Sequence, residues 1–185
     1  FDAGPEQLGG PRIAHLALWI VLAERAAQNG AEFNWAVFQD SSRSLNTGFS
    51  KAHVKDLLST RYAVAVSNKD IEYWGQLAAV DKPELWFVGG KRLAADSAHH
   101  GASTIAVSEV LQMDTSPHLH VAVHSAGAAV RPTREAVLDL PPMEAAARLL
   151  RDPLDLQVAQ RHNGPASIDI NSNILFARDG RRLFV

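Results

Sequence analysis

Not one of the 185 residues is cysteine. That excludes a disulfide framework and any thiolate metal site, and it is compatible with a reducing, cytoplasmic compartment. Charge of one sign is also lacking: 18 Lys and Arg stand against 20 Asp and Glu, a formal net charge of −2. Without a basic excess there is no electrostatic case for a nucleic-acid or anionic-membrane partner. No long hydrophobic run occurs either. The most apolar stretch, "IAHLALWIVLA", is far shorter than a bilayer span and contains a histidine, so it reads as a core helix. No initiator Met precedes Phe1, no signal-peptide pattern opens the chain, and the last residues break off within a strand-like pattern. Together these suggest a fragment cut at both ends. What is present is ordinary for a globular chain: 46% hydrophobic and 21% charged residues, enough for one core and an appendage.

Helical periodicity comes first. After the Gly- and Pro-rich "FDAGPEQLGGPR", Pro11 suits a first helical turn and Gly30 suits the position after a helix end. Between them Ile13, Leu16, Ile20, Ala23 and Ala27 recur at helical spacing, with Leu18, Trp19, Val21 and Leu22 widening the stripe. That breadth predicts burial against a sheet. "EFNWAVFQD" alternates as a strand does, and Phe1-Asp2 reads as the end of another. Ser50 is placed to cap a helix over "KAHVKDLLSTRY", and Ser67 or Asn68 to cap one over "NKDIEYWGQLAAVDK". "ELWFVGG" has the signature of a short buried strand. "ASTIAVSEVLQMD", "PHLHVAVHSAG" and "TREAVLDL" are further strands, and "PPMEAAARLLRDP" a short helix. Asn163-Gly164-Pro165 mark a junction, and Asp179-Gly180 set a hairpin turn between Ile174–Ala177 and Arg182–Val185.

Residues that could carry chemistry are few and scattered. His118, His120 and His124 fall on one face of their strand, but at about 3.3 Å per residue His124 lies roughly 13 Å from His120, too far for one ion. Hydrogen-bonded or solvated histidines are the expectation, and the same holds for His99 and His100. Ser50 with His53, and His124 with Ser125, lack a nucleophile elbow. "VGGKR" lacks the spacing of a phosphate-binding loop and reads as a tight turn. Trp19, Trp35, Trp74 and Trp86 all sit in apolar runs and read as core.

"GGPRIAHLALWIVLAERAAQNGAEFNWAVFQD" and "ELWFVGGKRL" resemble the first helix, second strand and next central strand of a von Willebrand factor A (vWA) domain, over roughly residues 1–95. The resemblance implies a divalent-cation motif, Asp-x-Ser-x-Ser, at the first strand end. Here Asp2 matches, but Gly4 and Glu6 replace the serines, and Val88-Gly89-Gly90-Lys91 stands where Thr-Asp-Gly belongs. Too few oxygens remain for Mg²⁺, and a lysine lies beside the gap. "ILFARDGRRLFV" is similar to outer strands of β-propeller blades, of which one hairpin is about half.

A vWA-like domain leading into a propeller is similar to accessory proteins of bacterial MoxR–vWA–β-propeller ternary systems. The resemblance implies a three-layer Rossmann-like α/β sheet with helices on both faces over residues 1–160, plus extra C-terminal antiparallel strands. It places a junction and first propeller hairpin over residues 161–185. It further implies a non-catalytic adaptor without metal or cofactor, whose protein partner is a MoxR-type AAA+ ATPase. Asp2, Gly4, Glu6, Gly89, Gly90 and Lys91 would form its contact rim, the equivalent of the lost metal site. Two other readings are a metal-dependent hydrolase built on the histidines and a structural α/β domain with no binding rim.

Overall fold

The structure is a computed structural model that describes residues 1–81, 84–97, 101–110, 117–126, 133–151, 175–176 and 183–184. It is mixed α/β. A 3-10 turn at Pro5–Gln7 leads into α1 (Gly10–Gln28), then β1 (Asn34–Trp35), β2 (Asn46–Thr47), α2 (Lys51–Ser59) and α3 (Asn68–Asp81). Next come β3 (Trp86–Gly89), α4 (Lys91–Ser97), β4 (Ser103–Val110), β5 (His118–His124), β6 (Arg134–Asp139) and α5 (Met143–Arg151). Residues Phe1–Arg151 form one compact unit and Asp152–Val185 a second. In the second, β7 (Leu175–Phe176) and β8 (Leu183–Phe184) pair antiparallel, with Leu175 opposite Phe184. The Asp179-Gly180 turn and the Asn163-Gly164-Pro165 junction lie outside the described residues.

Four strands make a mixed sheet in the order β3-β4-β5-β6, parallel between β3 and β4 and antiparallel thereafter. The parallel step is possible because α4 supplies the crossover between β3 and β4. Side chains alternate across β3 and feed two cores. Val88 packs with Ala14 of α1, Ile105, Val107, Leu119 and Val121. Phe87, on the other face, packs with Ile71 and Trp74 of α3, Leu93 of α4, and Phe38. A third, aromatic group forms where Trp19 meets Trp35 edge-on at 5.7 Å and stacks on Phe49 at 4.4 Å.

Local signals hold well. Ser50 Oγ accepts from His53 N–H at 3.2 Å, capping α2. Ser67 Oγ takes Asp70 N–H at 3.4 Å while the Asp70 carboxylate reaches back to Ser67 N–H, a reciprocal cap for α3.

Three expectations need correction. The strand expected over residues 32–40 is regular only at Asn34–Trp35. Beyond it the backbone leaves β2 and bonds to Phe1: the Phe1 nitrogen donates to Ala36 C=O at 2.8 Å, and Phe38 N–H to Phe1 C=O at 3.0 Å. The α1 stripe is also displaced. Arg12, Ala14, His15, Leu16 and Trp19 are buried, whereas Val21 is 55% exposed. Two polar side chains can turn inward because each finds internal partners, which hydropathy alone does not register. Finally, the "VGGKR" turn is there, but it opens directly into α4, which no periodic pattern announces. Of the four tryptophans, Trp19, Trp35 and Trp74 are buried and Trp86 is half-buried.

Candidate functional site

The carboxyl end of β3 meets the first residues of the chain. Asp2 N–H donates to Val88 C=O at 2.8 Å, which lays Phe1–Asp2 alongside β3. The contact is close because Gly89 has no side chain. A Cβ built there would fall 2.7 Å from the Asp2 Cβ and 2.5 Å from Leu93 Cδ2.

Asp2 is buried, and one of its two carboxylate oxygens is occupied from within. Oδ1 accepts from Gly4 N–H and from Gln39 Nε2, both at 2.7 Å. Gln39 in turn accepts from Ala3 N–H at 3.1 Å, so the two chain segments are laced together. Gly4 belongs in this knot: a Cβ on it would stand 3.0 Å from Asp2 Oδ1 and 3.1 Å from Val64 C=O. Gly90 faces the 3-10 turn, where an added Cβ would come 3.2 Å from Gln7 Nε2 and 3.6 Å from Glu6 Oε2. Glu6 and Lys91 are exposed. Asp2, Gly4, Glu6, Gly89 and Gly90 are therefore brought together, and Lys91 follows at the first residue of α4.

Sequence reasoning missed the polar layer beneath. Gln7 Nε2 donates to Val107 C=O at 3.2 Å, and Gln7 Oε1 faces His15 Nε2 at 3.0 Å. Both side chains are cut off from solvent. Burial, reinforced by nearby positive charge including Arg12, pushes the His15 pKa down from 6.5 to about 3, so the ring is neutral. Its Nδ1 has no hydrogen-bond partner among the described residues. Arg12, one turn earlier, donates to Leu57 C=O at 3.4 Å and to Thr60 C=O, the free carbonyls at the end of α2. Burial lowers its pKa, and the Asp2 charge opposes that. The only signal for this layer was the placement of Arg12 and His15 three apart, on one helical face, inside an apolar run.

The strand histidines are each engaged by β6 or its lead-in. His118 Nδ1 lies 2.9 Å from Asp139 Oδ1, His120 Nε2 3.2 Å from Glu135 Oε2, and His124 Nδ1 3.1 Å from Thr133 Oγ1. Among the described residues no group of three or more His, Asp or Glu side chains is gathered as a metal site. His99 and His100 lie outside the described residues. Among the described residues, no helix is long and apolar enough to cross a membrane.

Comparison with protein-family models, with curated proteins and with solved structures found no match.

Proposed function

We propose that this chain is a non-catalytic protein-interaction module, a vWA-like domain of three-layer Rossmann-like form whose cation motif has decayed into a docking rim. One observation carries the reading. The aspartate of that motif, Asp2, is buried and held at Oδ1 by Gly4 N–H and the Gln39 amide, while Glu6 and Lys91 project beside it. A carboxylate with one oxygen held by two internal hydrogen bonds is fixed in place by the fold and serves architecture. Two exposed charges of opposite sign on a glycine-tight frame suit recognition of a charged, complementary protein surface. By resemblance, the partner we name is a MoxR-type AAA+ ATPase, and the setting an assembly or maturation system in which residues 161–185 supply the junction and first hairpin of a β-propeller.

The test is direct binding of a purified MoxR-type ATPase to the immobilised 185-residue chain, with Glu6→Lys and Lys91→Glu alongside. Each reversal should weaken binding by about tenfold, near 1.4 kcal/mol, while thermal unfolding stays where it was, as for most surface substitutions. Absence of binding, or binding indifferent to both reversals, removes the proposal.

A further inference from the structure

At the opposite end of β3 from the rim lies a cleft of about 460 Å³. Residues 33–36 form one wall and residues 84–87 the other. Leu22 and Ala26 of α1 close one face, and Phe38 and Trp74 the other. At the mouth Arg25 pairs with Glu84 at 2.7 Å and lies 5.7 Å over the Trp86 ring. Phe1 forms part of the lining.

The backbone of the two walls has a regular order. In a parallel ladder, alternate residues bond to opposite neighbours. Ser103 N–H donates to Leu85 C=O at 2.9 Å, and with Trp86 opposite Ser103 and Val88 opposite Ile105 this commits residues 85, 87 and 89 to β4. Trp86 and Val88 face the other way, where Val88 C=O already holds Asp2 N–H. On the far wall Gly48 N–H donates to Phe33 C=O at 2.8 Å, so residues 33 and 35 serve β2. Asn34 and Ala36 face the cleft, and Ala36 C=O already holds the Phe1 nitrogen. Phe1–Asp2 thus sits between both walls as a strand would. One rung below, Trp86 C=O and Val88 N–H stand on one wall, with Asn34 C=O and Ala36 N–H on the other. Among the described residues no side chain or loop supplies a partner to these four groups.

We propose that the cleft is a strand slot, filled by an extended apolar segment of polypeptide that runs parallel to β3 and leads into Phe1. Four backbone groups without a partner among the described residues, two donors and two acceptors at ladder spacing, are what an inserted strand satisfies and a compact small molecule does not. At about 3.3 Å per residue, the four-residue walls accommodate roughly three to four residues. Both faces of the slot are apolar, so the segment must be apolar on both sides, as strands buried between two helical layers are. Its side chains would alternate between Leu22 and Ala26 on one face and Phe38 and Trp74 on the other.

The experiment compares three proteins: the 185-residue chain, the same chain preceded by Thr-Val-Val-Val, and the same chain preceded by Gly-Ser-Gly-Ser. Amide exchange at Val88 and Ala36 is read by NMR, with binding of an anilinonaphthalene sulfonate dye as a second readout. The valine extension should slow exchange at both amides by about tenfold or more and expel the dye, and the Gly-Ser extension should do neither. Equal exchange in all three proteins overturns the proposal. So does dye binding that survives the valine extension undiminished, which would mark the cleft as a small-molecule pocket.

Discussion

His15 Nε2 and Gln7 Oε1 meet at 3.0 Å in the interior, with neither side chain reaching solvent. A carboxamide oxygen only accepts, so the imidazole carries its proton on Nε2 and donates it. Gln7 passes the chain on by donating to Val107 C=O of β4, at 3.2 Å. The start of α1 is thereby tied to the sheet by polar bonds inside an otherwise apolar contact.

With its pKa lowered from 6.5 to about 3, His15 binds a proton in the unfolded chain before it does in the folded one. Its stabilising contribution is complete above pH 6.5 and is lost as pH falls toward 3. Between pH 7 and pH 5 the loss is about 2 kcal/mol from this group alone. Urea titrations of the wild type and His15→Gln at both pH values isolate it. The variant should lose less stability over the interval by about that amount, and parallel losses would refute the assignment.

Gly89→Ala should destabilise by about 1–3 kcal/mol, the usual range for overpacking. Leu93 can swing a methyl aside, but the Asp2 Cβ cannot withdraw without stretching the bonds from Gly4 and Gln39. Gly30→Ala serves as comparison: it meets no atom within 4 Å and suffers only from a φ of +65°. Chemical denaturation should rank Gly89 as the costlier site, and the reverse order would mean that the strand end has room to spare.

Arg12→Met should cost about 2–3 kcal/mol, because Leu57 C=O and Thr60 C=O at the end of α2 lose a charged donor and stay buried or half-buried. Arg12→Lys should recover only part of it, since one ammonium lacks the fork that reaches two carbonyls. Amide exchange in α2 is the readout with the finest resolution. If the last turn of α2 remains equally protected in both variants, the bridge is incidental.

Ser50→Ala removes the acceptor of His53 N–H and should lower stability by about 1 kcal/mol, with Ser50→Asp close to wild type. Thermal unfolding of the three proteins decides it.

Much of this was legible along the chain. Caps at Ser50 and Ser67, the short run that became β3, and the alternating runs of β4, β5 and β6 depend on neighbours within a few residues, and each element stands where its pattern lies. The candidate rim was legible in part, since Asp2, Gly4, Glu6, Gly89 and Gly90 do converge. Gln39, which holds the Asp2 carboxylate, was not, because its contact spans 37 positions and no local rule links the two. Nor was the brevity of β1: Ala36–Phe38 has strand character but finds its partner in Phe1, not in β2.

What the order of residues determined by itself was the set of elements, through periodicity, capping and turn chemistry, all short-range effects. Only the tertiary structure decided which polar groups could be buried. Arg12, His15 and Gln7 lie inside because the end of α2 offers carbonyls to Arg12, β4 offers one to Gln7, and the Gln7 amide meets the His15 ring, which repays the desolvation that would otherwise keep them in water.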